Sequence, residues 1–191
     1  NHKDIVALSV ATRSDCVDDN VLKLLEKLNK IKPVWVELGL QTIKESSVDY
    51  IRRGYENSVY VDTATKLRNI GIEVITHIIL GLPNESKIDM LMSVDFASKY
   101  SDGIKLQLLH ILKGTDLLKD YEDSKFNALT MEQYIDILCD AVSIIPKNVV
   151  IHRLTGDGDK RILVAPLWSG NKKVVLNTIN KTFEERNIIQ G

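Results

Sequence analysis

Five short runs rich in valine, isoleucine and leucine alternate with stretches of helical periodicity, and that alternation restricts the chain to a parallel α/β architecture. The runs are Ile5 to Ala11, Val34 to Leu40, Ile72 to Leu80, Ile104 to Ile111 and Val149 to Leu154. Between them Val21-Leu22-Leu24-Leu25-Leu28, Val61-Ala64-Leu67, Ile88-Leu91-Met92-Phe96 and Tyr134-Ile137-Leu138-Val142 recur at helical spacing. Each follows a polar start: Asp18-Asp19, Asn57-Ser58, Asn84-Glu85-Ser86 or Thr130. Repeated strand–helix units imply a parallel sheet with right-handed crossovers. At 191 residues, 44% of them hydrophobic, the chain has room for one domain with a large core. From Gly156 the pattern changes to a Gly156-Asp157-Gly158-Asp159 loop, punctuation at Pro166 and Gly170, and a terminal helix over Val174 to Arg186. Residues 1–155 therefore read as the βα portion and 156–191 as a loop and capping helix of the same domain.

The balance of charge and cysteine narrows the function classes. A net charge of −1 argues against a uniformly basic nucleic-acid binder and leaves only local patches such as Lys172-Lys173 with Lys181. Cys16 and Cys139 have neither metal-type spacing nor the density of an extracellular scaffold, so a reducing cytoplasm is expected. No apolar run approaches the roughly 20 residues that span a bilayer, and Asn1 to Asp4 do not resemble a signal peptide. The chain lacks an initiator methionine and enters a strand by residue 5, which makes a piece of a longer protein the expectation.

Strand parity separates two faces. In the second run Val34, Val36, Leu38 and Leu40 oppose Trp35, Glu37, Gly39 and Gln41. The third sets Val74, Thr76, Ile78 and Leu80 against Ile75, His77, Ile79 and Gly81; the fourth sets Ile104, Leu106, Leu108 and His110 against Lys105, Gln107, Leu109 and Ile111. Glu37, Gln41, His77, Lys105 and Gln107 thus share one face of three successive strands. Burying such groups without partners costs about 1 to 3 kcal/mol each, so they form either a satisfied network built on a Glu37–Lys105 ion pair or a functional lumen. Their place near the strand ends, where α/β folds hold ligands, favours the lumen.

Gly81-Leu82-Pro83-Asn84-Glu85 is a tight turn from strand to helix that lets a ligand approach the backbone. Together with Ala11-Thr12-Arg13-Ser14-Asp15, Glu37-Leu38-Gly39-Leu40-Gln41-Thr42, Arg52-Arg53-Gly54-Tyr55 and Lys113-Gly114-Thr115 it resembles the radical S-adenosylmethionine (radical SAM) proteins. The likeness is to the branch of oxygen-independent coproporphyrinogen oxidase and the elongator catalytic subunit. The closing Ile151-His152-Arg153-Leu154-Thr155-Gly156-Asp157-Gly158, followed by Ala165-Pro166-Leu167-Trp168-Ser169, resembles a bacterial subfamily.

The resemblance implies a partial parallel (β/α) barrel of the radical SAM type, truncated here at its N-terminal strands. It also implies S-adenosylmethionine and a [4Fe-4S] cluster in the full-length protein, used to form a 5′-deoxyadenosyl radical that abstracts hydrogen from a substrate. By similarity the cofactor-binding positions are Arg13, Glu37, Gln41, Arg53, His77, Gly81 and Leu82. Among these, Gln41 faces the ribose, Arg53 the methionyl carboxylate, and Gly81 and Leu82 the adenine. His77 stands where a relative has an aspartate toward the ribose. The family's three-cysteine cluster motif is absent, so no metal ligand and no cluster are expected in this chain, and the fragment alone is expected to be inactive.

Lys105, Gln107, His152 and Arg153 are the substrate-side candidates, with His110 and Lys113 nearby; one of His152 and Arg153 must face inward by parity, and Asp157 is a candidate partner for Arg153. The substrate is expected to be a small molecule or linked to tRNA. Two other classes compete: a barrel enzyme using Lys105 as an amine nucleophile, and a non-enzymatic RNA-binding module using the lysines of the last helix. The truncation would leave Ile5 to Ala11 as a raw sheet edge, through which copies of the chain are expected to associate.

Overall fold

The computed structural model describes residues 2–156 and 158–191. In chain order the elements are β1 (Leu8–Thr12), α1 (Asp19–Asn29), β2 (Val34–Gln41), α2 (Glu45–Tyr50), α3 (Asn57–Asn69), β3 (Glu73–Leu80), α4 (Lys87–Tyr100), β4 (Gly103–Leu108), β5 (Ile111–Leu112), α5 (Asp116–Glu122), α6 (Met131–Ile144), β6 (Val150–Arg153), β7 (Leu163–Ala165) and α7 (Lys172–Glu185). Strands β1, β2, β3, β4 and β6 form one parallel sheet in that order, while β5 and β7 make a small antiparallel pair. A sheet whose neighbours follow chain order is wound in one direction, as a partial barrel requires, so its helices lie on one face and its other face is the inner one.

The apolar parity set faces the helices. Val36, Leu38, Leu40, Val74, Ile78, Leu80, Ile104 and Leu106 are buried in one cluster with Tyr60, Leu67, Val94, Leu138 and Val175. The buried hydroxyls of Thr76, Tyr60 and Ser101 satisfy one another at 2.6 to 3.1 Å. Helix starts follow the polar signals. Asp18 accepts from the backbone N–H of Asn20 and Val21, and Ser86 with Asp89 and Thr130 with Gln133 form capping boxes. The last helix caps the structure by burying Val175 and Ile179, tying Arg186 to Asp136 at 2.8 Å and placing Gln190 on the carbonyls of Pro146 and Val149.

Two expectations change. β1 starts at Leu8 and not at Ile5, because its partner β2 begins only after Pro33, and Ile5 and Val6 remain exposed. The run Ile104 to Ile111 breaks after Leu108: Ile111–Leu112 leaves the main sheet and pairs with the returning tail. Two short helices, α2 and α5, occupy segments whose sequence carries no clear period. Among the described residues no helix is long and apolar enough to cross a membrane.

Candidate functional site

The inner face carries the polar parity set as one connected network. Glu37 on β2 is its hub. Ser9 on β1 donates to Oε1 at 2.9 Å; His77 on β3 and Lys105 on β4 meet Oε2 at 2.7 and 2.5 Å. Gln107 Nε2 donates to His77 Nδ1 at 3.0 Å, which assigns the imidazole proton to Nε2, directed at Glu37. Burial alone would push the Glu37 carboxyl up, but hydrogen bonds from Lys105, Ser9 and His77 outweigh it and hold it at about 2. Burial pushes His77 down; Glu37 opposes that, while Lys105 and Arg153 add to it, favouring the neutral imidazole. The Lys105 amine is thus donating to a carboxylate, and Ser9 is a member that parity within Ile5 to Ala11 could have revealed.

Toward the strand starts, both His152 and Arg153 face inward. The register slips so that Ile104 pairs with Ile151 and Lys105 with Arg153, which places two β6 residues opposite one step of β4. This bulge overrides the simple alternation from which only one of the pair is expected inside. The His152 ring meets Trp35 edge-on at 6.2 Å between centroids and covers Gly103, where a Cβ would collide with it. Burial lowers the His152 imidazole pKa, and Lys105 lowers it further. Arg153, half-buried, is close enough to influence His77.

At the C-terminal strand ends lie the residues that the family resemblance assigns to the cofactor. Gln41 has φ of 61° at a register slip in β2. Its amide folds back to donate to the carbonyls of Leu40 and Gly39, each at 2.9 Å, over a Gly39 that has no Cβ to obstruct it. Arg53 is 5% exposed and its five N–H groups are all engaged: Nη1 with Leu40 O and Thr42 O, Nε with Tyr55 O, Nη2 with Tyr55 O and Asn57 Oδ1, at 2.8 to 3.0 Å. As packed, this guanidinium clamps the loop after β2 and has no donor left for a carboxylate. Tyr55 lies between two cations, 4.6 Å from Arg53 and 5.4 Å from Arg13, and its hydroxyl donates to Gly39 O. Arg13 is exposed and bidentate to Asp15.

Gly81 takes φ of 95°, and Leu129 lies where a Cβ would project, 2.8 Å away. Leu82 is buried against a cavity of about 390 Å³ whose wall includes Tyr50, Arg52, Leu109, Asp116 and Asp120. Elsewhere, His110 Nε2 meets Ser169 Oγ at 3.0 Å and its ring fills the space beside Gly156 and Gly158, so it ties the tail to the end of β4. Lys113 is exposed, and Asp157 lies outside the described residues. Glu85, which the sequence marks only as part of a turn and helix start, accepts from Thr42 at 2.6 Å with its other oxygen buried and unpartnered, and burial pushes its carboxyl up.

Residues 2–97 match the model of the Radical SAM superfamily, and residues 101–185 match the Radical_SAM C-terminal domain. The chain is 45% identical over 190 residues to the Bacillus subtilis (strain 168) protein YtqA, covering 98% of this chain and 59% of that one. It is 34% identical over 187 residues to Protein YhcC of Escherichia coli (strain K12), covering 97% and 60%. Among solved structures the archaeal Methanocaldococcus infernus Elp3 shares the fold, with a TM-score of 0.78 at 22% identity over 97% of this chain and 43% of that one. The chain therefore spans about three-fifths of the length of these curated relatives.

Proposed function

Because the chain belongs to the radical SAM superfamily, we propose that it forms part of the barrel wall of a radical SAM enzyme, with its inner face turned to the substrate. In such enzymes S-adenosylmethionine and a [4Fe-4S] cluster together supply a 5′-deoxyadenosyl radical that abstracts a hydrogen atom. The observation that supports this reading is the interlocked Ser9–Glu37–His77–Lys105–Gln107 network on the inner face of a sheet wound in one direction. An inner face with no ligand to accommodate would be filled more cheaply by valine and isoleucine.

The residues present do not fit the cluster. Cys16 is exposed on the Ser14–Cys16 turn, Cys139 is buried in α6, and among the described residues no three His, Cys, Asp or Glu side chains gather as a metal site. Its ligands are expected from sequence other than these 191 residues. Arg53 in this arrangement holds the wall in shape, while the network on β2, β3 and β4 keeps its polar groups fixed beneath a substrate. Such positioning matters for radical chemistry, in which a particular hydrogen must be held near the reacting carbon.

The test is direct. The protein that contains this chain, purified anaerobically and reduced, is expected to convert S-adenosylmethionine to 5′-deoxyadenosine and methionine. An iron-replete preparation that releases neither would overturn the reading.

A further inference from the structure

Seven arginines occur in the chain, and six have partners. Arg13 pairs with Asp15, Arg52 with Asp116, Arg68 with Asp102, Arg161 with Asp159 and Arg186 with Asp136, while Arg53 is spent on carbonyls. Arg153 forms no hydrogen bond or ion pair with any described residue. It is half-buried all the same, on the inner face, as the register partner of Lys105.

A guanidinium withdrawn from water without an acceptor is costly, and it is the side chain best shaped for bidentate contact with a carboxylate or phosphate. Among the described residues the acids at hand do not meet that need. Glu37 already accepts from Ser9, His77 and Lys105. Glu73, at the start of β3, is exposed and lies toward His152. The β6 bulge adds a second inward residue at this point, and bulges re-aim side chains beside sites.

Building on the reading of the inner face as a substrate wall, we propose that the substrate carries an anionic group, a carboxylate or a phosphate, which Arg153 holds by its two-pronged edge beside the Lys105 ammonium. His77, level with Lys105 on β3, and Gln107, one step further along β4, then face the neutral portion of the same molecule. The anion anchors one end, and the part to be altered extends toward the C-terminal strand ends.

The experiment needs neither S-adenosylmethionine nor iron. Sodium phosphate and sodium acetate are titrated separately into the chain at constant ionic strength, with the Arg153 Nε–H resonance as readout. Half-saturation is expected in the range of about 1 to 10 mM, as suits an ion of few atoms. Response to phosphate alone points to a phosphorylated substrate, response to acetate alone to a carboxylate, and response to both supports the shared chemistry. Arg153→Gln should weaken binding at least tenfold, whereas Arg161→Gln should leave it unchanged. If Arg153→Gln does not fold, Arg153→Lys retains charge and stem without the planar fork and should still bind more weakly than the parent. No response to either anion up to about 100 mM, or equal binding in the Arg153 variants, overturns the proposal. Anion binding at Arg153 in a protein that forms no 5′-deoxyadenosine would instead fault the enzymatic reading.

Discussion

Lys105 Nζ lies 2.5 Å from Glu37 Oε2 although the two residues belong to β4 and β2, with β3 between them. Adjacent strands are about 4.8 Å apart, so the pair bridges roughly 10 Å of backbone, and His77 on the strand between meets the same carboxylate oxygen at 2.7 Å. The inner face is therefore held by a charge pair that crosses a strand, which ties three strands into one polar unit.

Removing Glu37 should expose that dependence. Glu37→Gln leaves the Lys105 ammonium, 16% exposed, without its counter-charge, and a loss of about 2 kcal/mol is expected, below that for a fully buried pair. The Glu37 carboxyl is held at about 2 against an ordinary 4.5. Its contribution is thus complete above about pH 4.5 and is lost as pH falls toward 2. Urea midpoints at pH 3, 5 and 7 should show parent and variant converging at the acid end. A constant gap across that range would show that the carboxylate's charge is not what stabilises the face.

Arg53 discriminates between a clamp and a ligand-binding group. Five hydrogen bonds from one buried guanidinium hold the segment between Leu40 and Asn57, so Arg53→Ala should cost about 3 kcal/mol or more. For a chain of this size that is a fall in Tm of about 6 to 12 °C. Lysine, with three donors and no plane, should recover only part of it. An unchanged Tm, coupled with weakened S-adenosylmethionine binding in the complete protein, would instead restore the direct contact with the methionyl carboxylate.

Glu85 should impose the opposite pH dependence. Burial raises its carboxyl pKa in the folded state, and one oxygen has no partner. The folded chain therefore binds this proton more tightly than the unfolded one, and stability falls as pH rises through the folded value. Glu85→Gln removes the ionisation and should reduce the loss of stability between pH 5 and 8, with a gain of about 1 kcal/mol at the upper end. Parallel stability curves for the two proteins would place the carboxyl in a wetter setting than the structure gives it.

The architecture was legible because two periods coexist in the sequence. Period-two parity placed Glu37, His77, Lys105 and Gln107 on one face, where they meet. Parity failed where the backbone leaves the ideal strand: the β6 bulge turns both His152 and Arg153 inward, whereas Gln41, despite its positive φ, still lies over Gly39 on the same face as Glu37. Hydrogen-bond saturation is equally invisible to it. Arg53 follows Arg52 and Arg153 follows His152, and nothing in those neighbours tells the two apart, yet Arg53 has every donor filled while Arg153 forms no hydrogen bond or ion pair with any described residue, because only folding decides which carbonyls come within reach.

The edge of the sheet supports a last expectation. β1 pairs with β2 on one side, and among the described residues no strand pairs with its other side. Leu8 is 42% exposed and Val6 80%, and Leu8 lies with Ile5, Leu28, Ile31 and Val34 around an apolar cavity of about 220 Å³. The last helix cannot cover this edge, since it packs on α6 at the opposite side of the sheet. Unpaired N–H and C=O groups beside exposed apolar side chains form a template for a further strand, and in a solution of this chain alone the available strand is that of another copy. The weight-average mass in sedimentation equilibrium should therefore rise with concentration. Val6→Lys and Leu8→Lys should lower the association by placing like charges on both partners at the shared edge. Val10→Lys is a less clean test, because Val10 is half-buried opposite Val36 and the change would also disturb the core. A chain that remains monomeric at high concentration, with the two edge variants indistinguishable from it, would mean that the exposed residues before Leu8 fold over the edge and protect it.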